Sequence, residues 1–573
     1  MWKQPHRFVT RKTDGQRRTL SLPHPFTQFA VVAFYKRFAG ALIFNSSRSP
    51  YSLRHPDGLA KFSFSDDTLH ASRRSHRRKG VETTVREFET ITSFFRYRTY
   101  SNINSFYESA QFHRLEARFP FQRRLDITRC FESLYTHSID WAIRGHHASK
   151  RGISDDLFSN QLDKLFQSAN NGQTNGVIVG PEFSRIFAEI ILQSADLAIH
   201  QTLLDRNLEH GRDYWIGRYV DDYFVFCGTE NDATLIQEAI EIHLEKYNLR
   251  LNKAKQLDHK GPSHSPIHGG KRRIADQVSQ HFDKVFACLD PEGSEKNAPN
   301  INKLISAYKS VLHDLNVTPS EVNNFSLGII EKKVRHIGRD SAQLDRGSAE
   351  LLARVLKDVC ILVEFLYFAA PSVSSAIRAN RILLDVVNIV SRRKLSKDLR
   401  LSVLGSIDRT CLAVIERHNL EDRVLAGPER YYWLLLHAQL GRSFLLSESE
   451  LRRFIDMSSA HGSEYLLIVT VLLYMEKRTR YASLRKDVAD RIEGAVRNAH
   501  PQSAERAMMQ ADAIACPYLE EDQKLIWMTA WFPTASAADL GAAIRVWPSS
   551  IFAAWNGFSL EKALKAKKRR EVY

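Results

Sequence analysis

The sequence predicts an α+β chain, with strands and helices mixed over roughly the first 260 residues and helix alone after that. Three observations predict it. The run Gly217-Arg-Tyr-Val-Asp-Asp-Tyr-Phe-Val-Phe-Cys227 places apolar and aromatic residues on both sides of two adjacent carboxylates. That pattern suits a strand–turn–strand hairpin over a buried face and would be a poor surface loop. Leu125-Asp126-Ile127-Thr128-Arg129-Cys130-Phe131 puts one acid at the end of a short apolar run. From about residue 272, almost every segment carries apolar residues at helical spacing.

Taken in order, residues 1–20 read as an arm and a helix follows through Arg37. Residues 50–120 mix strands and helices. Residues 150–172 read as helix and then loop. Thr174-Asn-Gly176-Val-Ile-Val-Gly180-Pro181-Glu-Phe-Ser184 then opens a long amphipathic helix through Leu192. Glycine permits unusual backbone angles where a loop must approach a ligand closely, and proline is tolerated at a helix start. Residues 259–270, rich in Gly, Pro, Ser and His, read as a linker. Helices are expected over 349–368, 376–393, 399–418, 429–440, 464–478 and 484–499. Their short connections suggest antiparallel pairs. No strict period marks a solenoid.

Adjacent carboxylates repel and call for an opposite charge. Mg2+ is the usual hard cation for this, taking one or two carboxylates and leaving positions for phosphate oxygens. Mn2+ is the alternative. The net charge of +16 is concentrated: residues 1–125 hold 23 Lys/Arg against 9 Asp/Glu, an excess of 14. A nucleic-acid backbone would require such a segment. Its densest part is Ser72-Arg-Arg-Ser-His-Arg-Arg-Lys79. Phe94, Phe95, Tyr97, Tyr100 and Tyr107 interleave with basic residues and are candidates for stacking bases. The tail Lys562-Ala-Leu-Lys-Ala-Lys-Lys-Arg-Arg570 is a second basic run. The six cysteines show neither zinc-ligand spacing nor a disulfide framework, which fits a cytoplasmic protein. The longest apolar run, Tyr465 to Met475, is too short to span a membrane, and no signal core opens the chain.

Taken together, the Asp126 segment, the Gly176–Ser184 segment, the Tyr219-Val-Asp-Asp222 box and Leu251-Asn252-Lys-Ala-Lys255 resemble motifs A to D of reverse transcriptases. The resemblance covers roughly residues 15 to 260. Arg18-Thr-Leu-Ser-Leu-Pro-His-Pro25 resembles the first block of the bacterial enzymes. Tyr135-Thr-His-Ser138 and Gly180-Pro-Glu-Phe-Ser184 make the chain most similar to their defence-associated, abortive-infection group. The resemblance implies a right-hand fingers and palm fold followed by an all-α C-terminal domain. The expected domains are 1–119 (arm and fingers), 120–260 (palm), 261–345 (helical, thumb-like) and 346–573 (helical).

The resemblance also implies roles. Asp126 and Asp221 are the primary metal ligands, Asp222 is the third acid, and the Ile127 carbonyl completes the coordination. Phe131 stands where the family carries a steric gate against the ribose 2′-hydroxyl. Gly180 and Pro181 lie against the incoming base and template. Lys255, in Asn-x-x-Lys spacing, neutralises the triphosphate or protonates pyrophosphate. Arg114 or Arg118 grips the triphosphate. No ribonuclease H or HNH constellation is apparent.

The implied activity is RNA-directed DNA polymerisation by two-metal nucleotidyl transfer in antiphage defence. Its partners would be deoxynucleoside triphosphates (dNTPs), an RNA template or noncoding RNA, the DNA product, and a second reverse transcriptase or further copies of this chain. Alternatives are template-independent synthesis primed from a protein hydroxyl (Tyr431, Tyr432 or Tyr573), RNA-dependent RNA synthesis, and a non-catalytic nucleic-acid-binding subunit. Arg430 and His437 have the Arg-x6-His spacing that some helical ribonucleases use.

Overall fold

The structure is a computed structural model that describes residues 2–12, 16–60, 94–98, 100, 103–149, 157–261, 266–290, 298–338, 346–393, 395–416, 427–459, 463–548 and 550–569. The basic run 72–79 and Tyr573 lie outside the described residues. The chain divides into two compact units. One holds Phe26–Ser263 with the two chain ends, and the other holds Lys3–Pro25 with His264–Lys565.

Two hairpins open the chain: β1 (His6–Arg11) with β2 (Arg17–Leu22), and, after helix α1 (Pro25–Asn45), β3 (Pro56–Leu59) with β4 (Phe95–Tyr97). Helices α2 (Ile103–Tyr107) and α3 (Ala110–Arg118) lead into β5 (Phe121–Asp126). Four helices follow: α4 (Cys130–Ser133), α5 (Ser138–Arg144), α6 (His146–Ser149) and α7 (Phe158–Ala169). The 24-residue α8 (Glu182–Asp205) is buried along most of its length. Strands β6 (Tyr214–Tyr219) and β7 (Asp222–Cys227), helix α9 (Glu230–Glu245) and strand β8 (Leu257–Lys260) complete this part of the chain.

The central sheet is antiparallel in the order β6-β7-β5-β8. Strand alternation divides β5 between two faces. Phe121, Leu125 and Ile127 join the apolar core formed with α8 and α9. On the same face Arg123 is buried, makes a bidentate pair with Asp258 at 2.7–2.8 Å, and bonds Thr234 and Gln237 of α9. Gln122, Arg124 and Asp126 alternate onto the other face. There Phe224 and Phe226 of β7 pack with Phe106, Phe112, Leu115 and Phe119 in a second core.

From residue 266 onward, the regular elements among the described residues are helices. Those matching the expected segments are Arg346–Ala369, Val373–Arg392, Lys397–Ile415, Pro428–His437, Glu464–Met475 and Ala482–Asn498. They share one extended core.

Three placements differ from the sequence expectations. The arm belongs with the helical unit: Gln4 bridges to Ser503, the His6 imidazole lies 2.7 Å from Ser463 Oγ, and the Arg11 N–H donates to the Glu429 carboxylate at 2.9 Å. Residues 257–260, partly assigned to a linker, form an edge strand held by Arg123 on one side of the sheet. Its four exposed residues carry no apolar alternation that would have revealed it. The Arg430–His437 pair is structural. The Arg430 guanidinium donates to the Ile415 carbonyl, and fully buried His437 sits between Asp408 (2.8 Å) and the Tyr474 hydroxyl (3.0 Å). Tyr431 is likewise enclosed, and burial pushes its hydroxyl pKa up.

Candidate active site

Asp126 is the last residue of β5 and lies directly opposite Asp222, the first residue of β7. Opposed residues on antiparallel strands have Cα atoms about 4.5–5.5 Å apart. The Ile127 N–H donates to the Asp221 carbonyl at 3.2 Å and extends the pairing. Two segments 95 residues apart therefore bring three carboxyl-bearing residues to one end of the sheet. Val220, between Tyr219 and Asp221, has φ +59°, a left-handed conformation that β-branched residues rarely adopt.

Two chain cations face these acids. Lys255 Nζ lies 3.1 Å from Asp126 Oδ2, and Arg124 lies 3.3 Å from the Asp222 carboxylate. Lys255 is placed by the turn Lys253–Lys255, anchored where the Asn252 N–H donates to the Asp126 carbonyl at 2.8 Å. Burial raises the Asp222 carboxyl above its ordinary pKa. The like charge of Asp126 adds to this, and Arg124 opposes it. Burial pulls the Arg124 guanidinium down, but Asp222, Tyr107 and Asp126 together leave it above its ordinary value.

The glycine-rich loop docks on the turn that follows Asp126. The Val177 N–H donates to the Phe131 carbonyl, the Gly176 N–H to Leu134 and the Thr136 N–H to Thr174, each at 2.8 Å. Tyr135 and Asn175 form an antiparallel bridge. Gly176 has φ +80°, and a Cβ there would lie 2.9 Å from the Glu132 carbonyl oxygen. Phe131 is half-buried in the first turn of α4. Gly180 has φ +127°, and Pro181 takes the position just before α8. Thus Asp126, Ile127, Asp221, Asp222 and Lys255 meet at one end of the sheet, and Phe131 is joined to the loop leading to Gly180 and Pro181.

Arg114 and Arg118 are placed elsewhere. Both are exposed on α3, which leads into the start of β5, and Arg118 donates to the Arg212 carbonyl just ahead of β6. The length of β5, roughly 16 Å, separates that end from Asp126. The arginine that reaches the acids is Arg124, which sequence reasoning missed. Its signal was available, since it lies two residues before Asp126 on a strand and so shares its face. Asn252 was also passed over as part of the Asn-x-x-Lys spacing. The proposed stacking aromatics fare unevenly. Phe95 is buried against Tyr35. Tyr97 lies under the Arg54 guanidinium at 4.1 Å, with its hydroxyl on Glu182. Phe95 is therefore closed to a base, and Arg54 covers one face of Tyr97.

The donors suit a hard cation. They are carboxylate and backbone oxygens, and the nearby thiol of Cys130 is held protonated by burial and by the charge of Asp221. Among the described residues no group of three or more His, Cys, Asp or Glu is arranged to hold a metal ion; Asp126 is paired with Lys255 and Asp222 with Arg124. Mg2+ binds through one or two carboxylates completed by substrate phosphates and seldom through an all-protein cage. All six cysteines are buried, and none forms a disulfide. No helix of the described residues is long and apolar enough to cross a membrane.

The chain is distantly similar to the solved structure of telomerase from Candida albicans in complex with a TWJ fragment of telomeric RNA. The match has 12% identity and a TM-score of 0.21, and covers 55% of this chain and 50% of the telomerase chain. This chain therefore spans about half the length of that relative. No protein-family model matches it, and no curated protein does.

Proposed function

We propose that the chain is a nucleotidyltransferase of the reverse-transcriptase type that builds DNA from dNTPs. The observation that supports this best is Asp126 standing opposite Asp222, with Asp221 at the adjoining turn and the Gly176 loop docked on the Phe131 turn. Two Mg2+ ions about 3.5–4 Å apart, when bound, would activate the attacking hydroxyl and stabilise the leaving oxygen.

The chain's own residues do the rest. Asp126 and Asp221 hold the cations, with the Ile127 carbonyl beside them. Asp222, tempered by Arg124, sets the local negative charge. Phe131 crowds the sugar where a 2′-hydroxyl would lie. The Gly176–Pro181 loop lets backbone approach the nucleotide. Lys255, already within hydrogen-bond reach of Asp126, delivers positive charge or a proton to departing pyrophosphate. An RNA template, a DNA product and a role in bacterial antiphage defence follow from the motif resemblance, as do a cytoplasmic setting and a partner polymerase.

The test uses the purified full chain with Mg2+ or Mn2+, labelled dNTPs or ribonucleotides, and RNA of defined sequence. The expected product is DNA. Asp221→Ala/Asp222→Ala should lower synthesis by at least about 100-fold. Phe131→Ala should raise ribonucleotide use relative to deoxynucleotide use by roughly tenfold or more. Strong ribonucleotide incorporation by the wild type, with little deoxynucleotide use, would overturn the proposal.

A further inference from the structure

Arg218, on β6 just before the acidic turn, is fully buried. Its guanidinium donates to both Glu189 carboxylate oxygens at 2.9 Å and, through Nε, to Asp196 Oδ2 at 2.9 Å. Nη1 also donates to the Val220 carbonyl at 3.0 Å. Glu189 and Asp196 are seven residues apart on α8, two turns along one face. Both are further held. Asp196 accepts from Ser49 Oγ (2.7 Å) and the Tyr223 hydroxyl (2.8 Å), and Glu189 from Ser52 Oγ and Gln193 Nε2 (each 2.7 Å). The Arg218 main chain is pinned as well: its N–H donates to the Tyr51 carbonyl at 2.7 Å, and its carbonyl accepts from Leu53 at 2.8 Å.

Burying one cation and two carboxylates is a poor route to stability, since apolar residues of similar volume commonly do as well or better. A buried guanidinium fork instead fixes direction, through planar bonds that an ammonium cannot reproduce. Here the direction is toward the carbonyl of Val220, the residue whose left-handed backbone must be held by its surroundings.

We propose that Arg218 is a positioning residue: clamped by Glu189 and Asp196, it holds the Val220 carbonyl and keeps Asp221 and Asp222 turned toward Asp126. This rests on the nucleotidyltransferase function proposed above. Arg218 touches none of the reacting groups and acts only through the turn. The buried cluster thereby joins α8, the helix that begins at the glycine-rich loop, to the acidic hairpin.

The test measures Mn2+ affinity by calorimetry, melting temperature and steady-state kinetics on the full chain. Arg218→Lys keeps a charge between the two carboxylates but loses the fork. It should weaken Mn2+ binding by about 10-fold or more, as loss of an outer partner of a metal ligand does. kcat should fall in proportion, with the KM for dNTP within about twofold. In a Val220→Gly background, where the left-handed backbone is unstrained, the same substitution should weaken Mn2+ binding by less than about threefold. Tyr223→Phe removes one bond to Asp196 and disturbs folding least. It should weaken Mn2+ binding by roughly two- to fivefold, and covers the case in which Arg218→Lys does not fold.

A melting temperature that falls while Mn2+ affinity stays within twofold would mean a purely structural role and overturn the proposal. So would equal effects of Arg218→Lys with Val220 and with Gly at position 220, or unchanged affinity in Tyr223→Phe. Failure of the wild type to bind Mn2+ at all would instead overturn the proposed polymerase function.

Discussion

Arg124 sets the electrostatics of the acidic group. It lies 3.3 Å from Asp222 and lowers a carboxyl pKa that burial and Asp126 raise. Arg124→Gln would leave the Asp126–Asp222 repulsion uncompensated on that side and remove a positive charge that competes with an incoming cation. Mn2+ should then bind roughly tenfold more tightly at pH 8, as read by calorimetry, and unchanged or weaker binding would contradict this account. The three acids were legible in the sequence because apolar strands flank them on both sides, which makes a solvated turn a poor explanation. Arg124 was overlooked, since a basic residue in a strand beside a second arginine carries no pattern of its own. Only the strand period, applied outward from Asp126, assigns the two arginines to opposite faces: Arg123 to Asp258 and α9, and Arg124 to the acids. Arg114 and Arg118 were chosen for their charge and nearness in sequence, and the intervening strand carries them away.

At the scale of elements, the loop from Thr174 to Gly180 is fixed by backbone bonds to the turn after Asp126, by the Asn170 side chain donating to the Gly176 carbonyl, and by burial of Val177 and Ile178 in the core. Gly176→Ala therefore meets two penalties, a left-handed φ and a Cβ 2.9 Å from the Glu132 carbonyl oxygen. The expected cost is about 1–3 kcal/mol, visible as a lower melting temperature, with a raised KM for dNTP as the loop lifts from Phe131. A melting temperature equal to the wild type would show that the loop is not docked in this way. Helices were the most readable elements. Glu464–Met475 and Ala482–Asn498 end within a few residues of the expected bounds, because sustained 3.6-residue periodicity is a strong signal. The edge strand β8 was missed because all four of its residues are exposed. It exists through pairing with β5 and through the Arg123–Asp258 ion pair, both of them long-range. Helix α8 also ran further than expected, to Asp205, since it is buried on nearly all sides and its polar positions, Glu189, Gln193 and Asp196, serve the Arg218 cluster and not solvent.

At the scale of the whole molecule, the chain forms two units, and residues 3–25 belong with the helical one. The sequence reading groups the N-terminal arm with the rest of residues 1–119. The bonds from Gln4, His6 and Arg11 to Ser503, Ser463 and Glu429 place it elsewhere, and no local pattern announces a partner more than 400 residues away. Stability of the sheet-bearing unit should depend on pH through His210, whose ring packs against Tyr51 and Tyr214. Burial lowers its pKa to about 4 from an ordinary 6.5. The unfolded chain binds more protons between those values, so stability is full above about pH 6.5 and is lost as the pH falls toward 4, by on the order of 3 kcal/mol at most. Urea unfolding followed across that window should show the loss, and His210→Gln should flatten it.

The central claim is that Asp126 and Asp221 together hold two divalent ions against a nucleotide. It is tested most directly by anomalous diffraction from crystals of the full chain grown with Mn2+ and a non-hydrolysable dNTP. Two manganese peaks about 3.5–4 Å apart are expected between Asp126 and the Asp221–Asp222 turn, with the triphosphate alongside. A nucleotide bound with no manganese at these acids, or manganese held elsewhere in the chain, would contradict it.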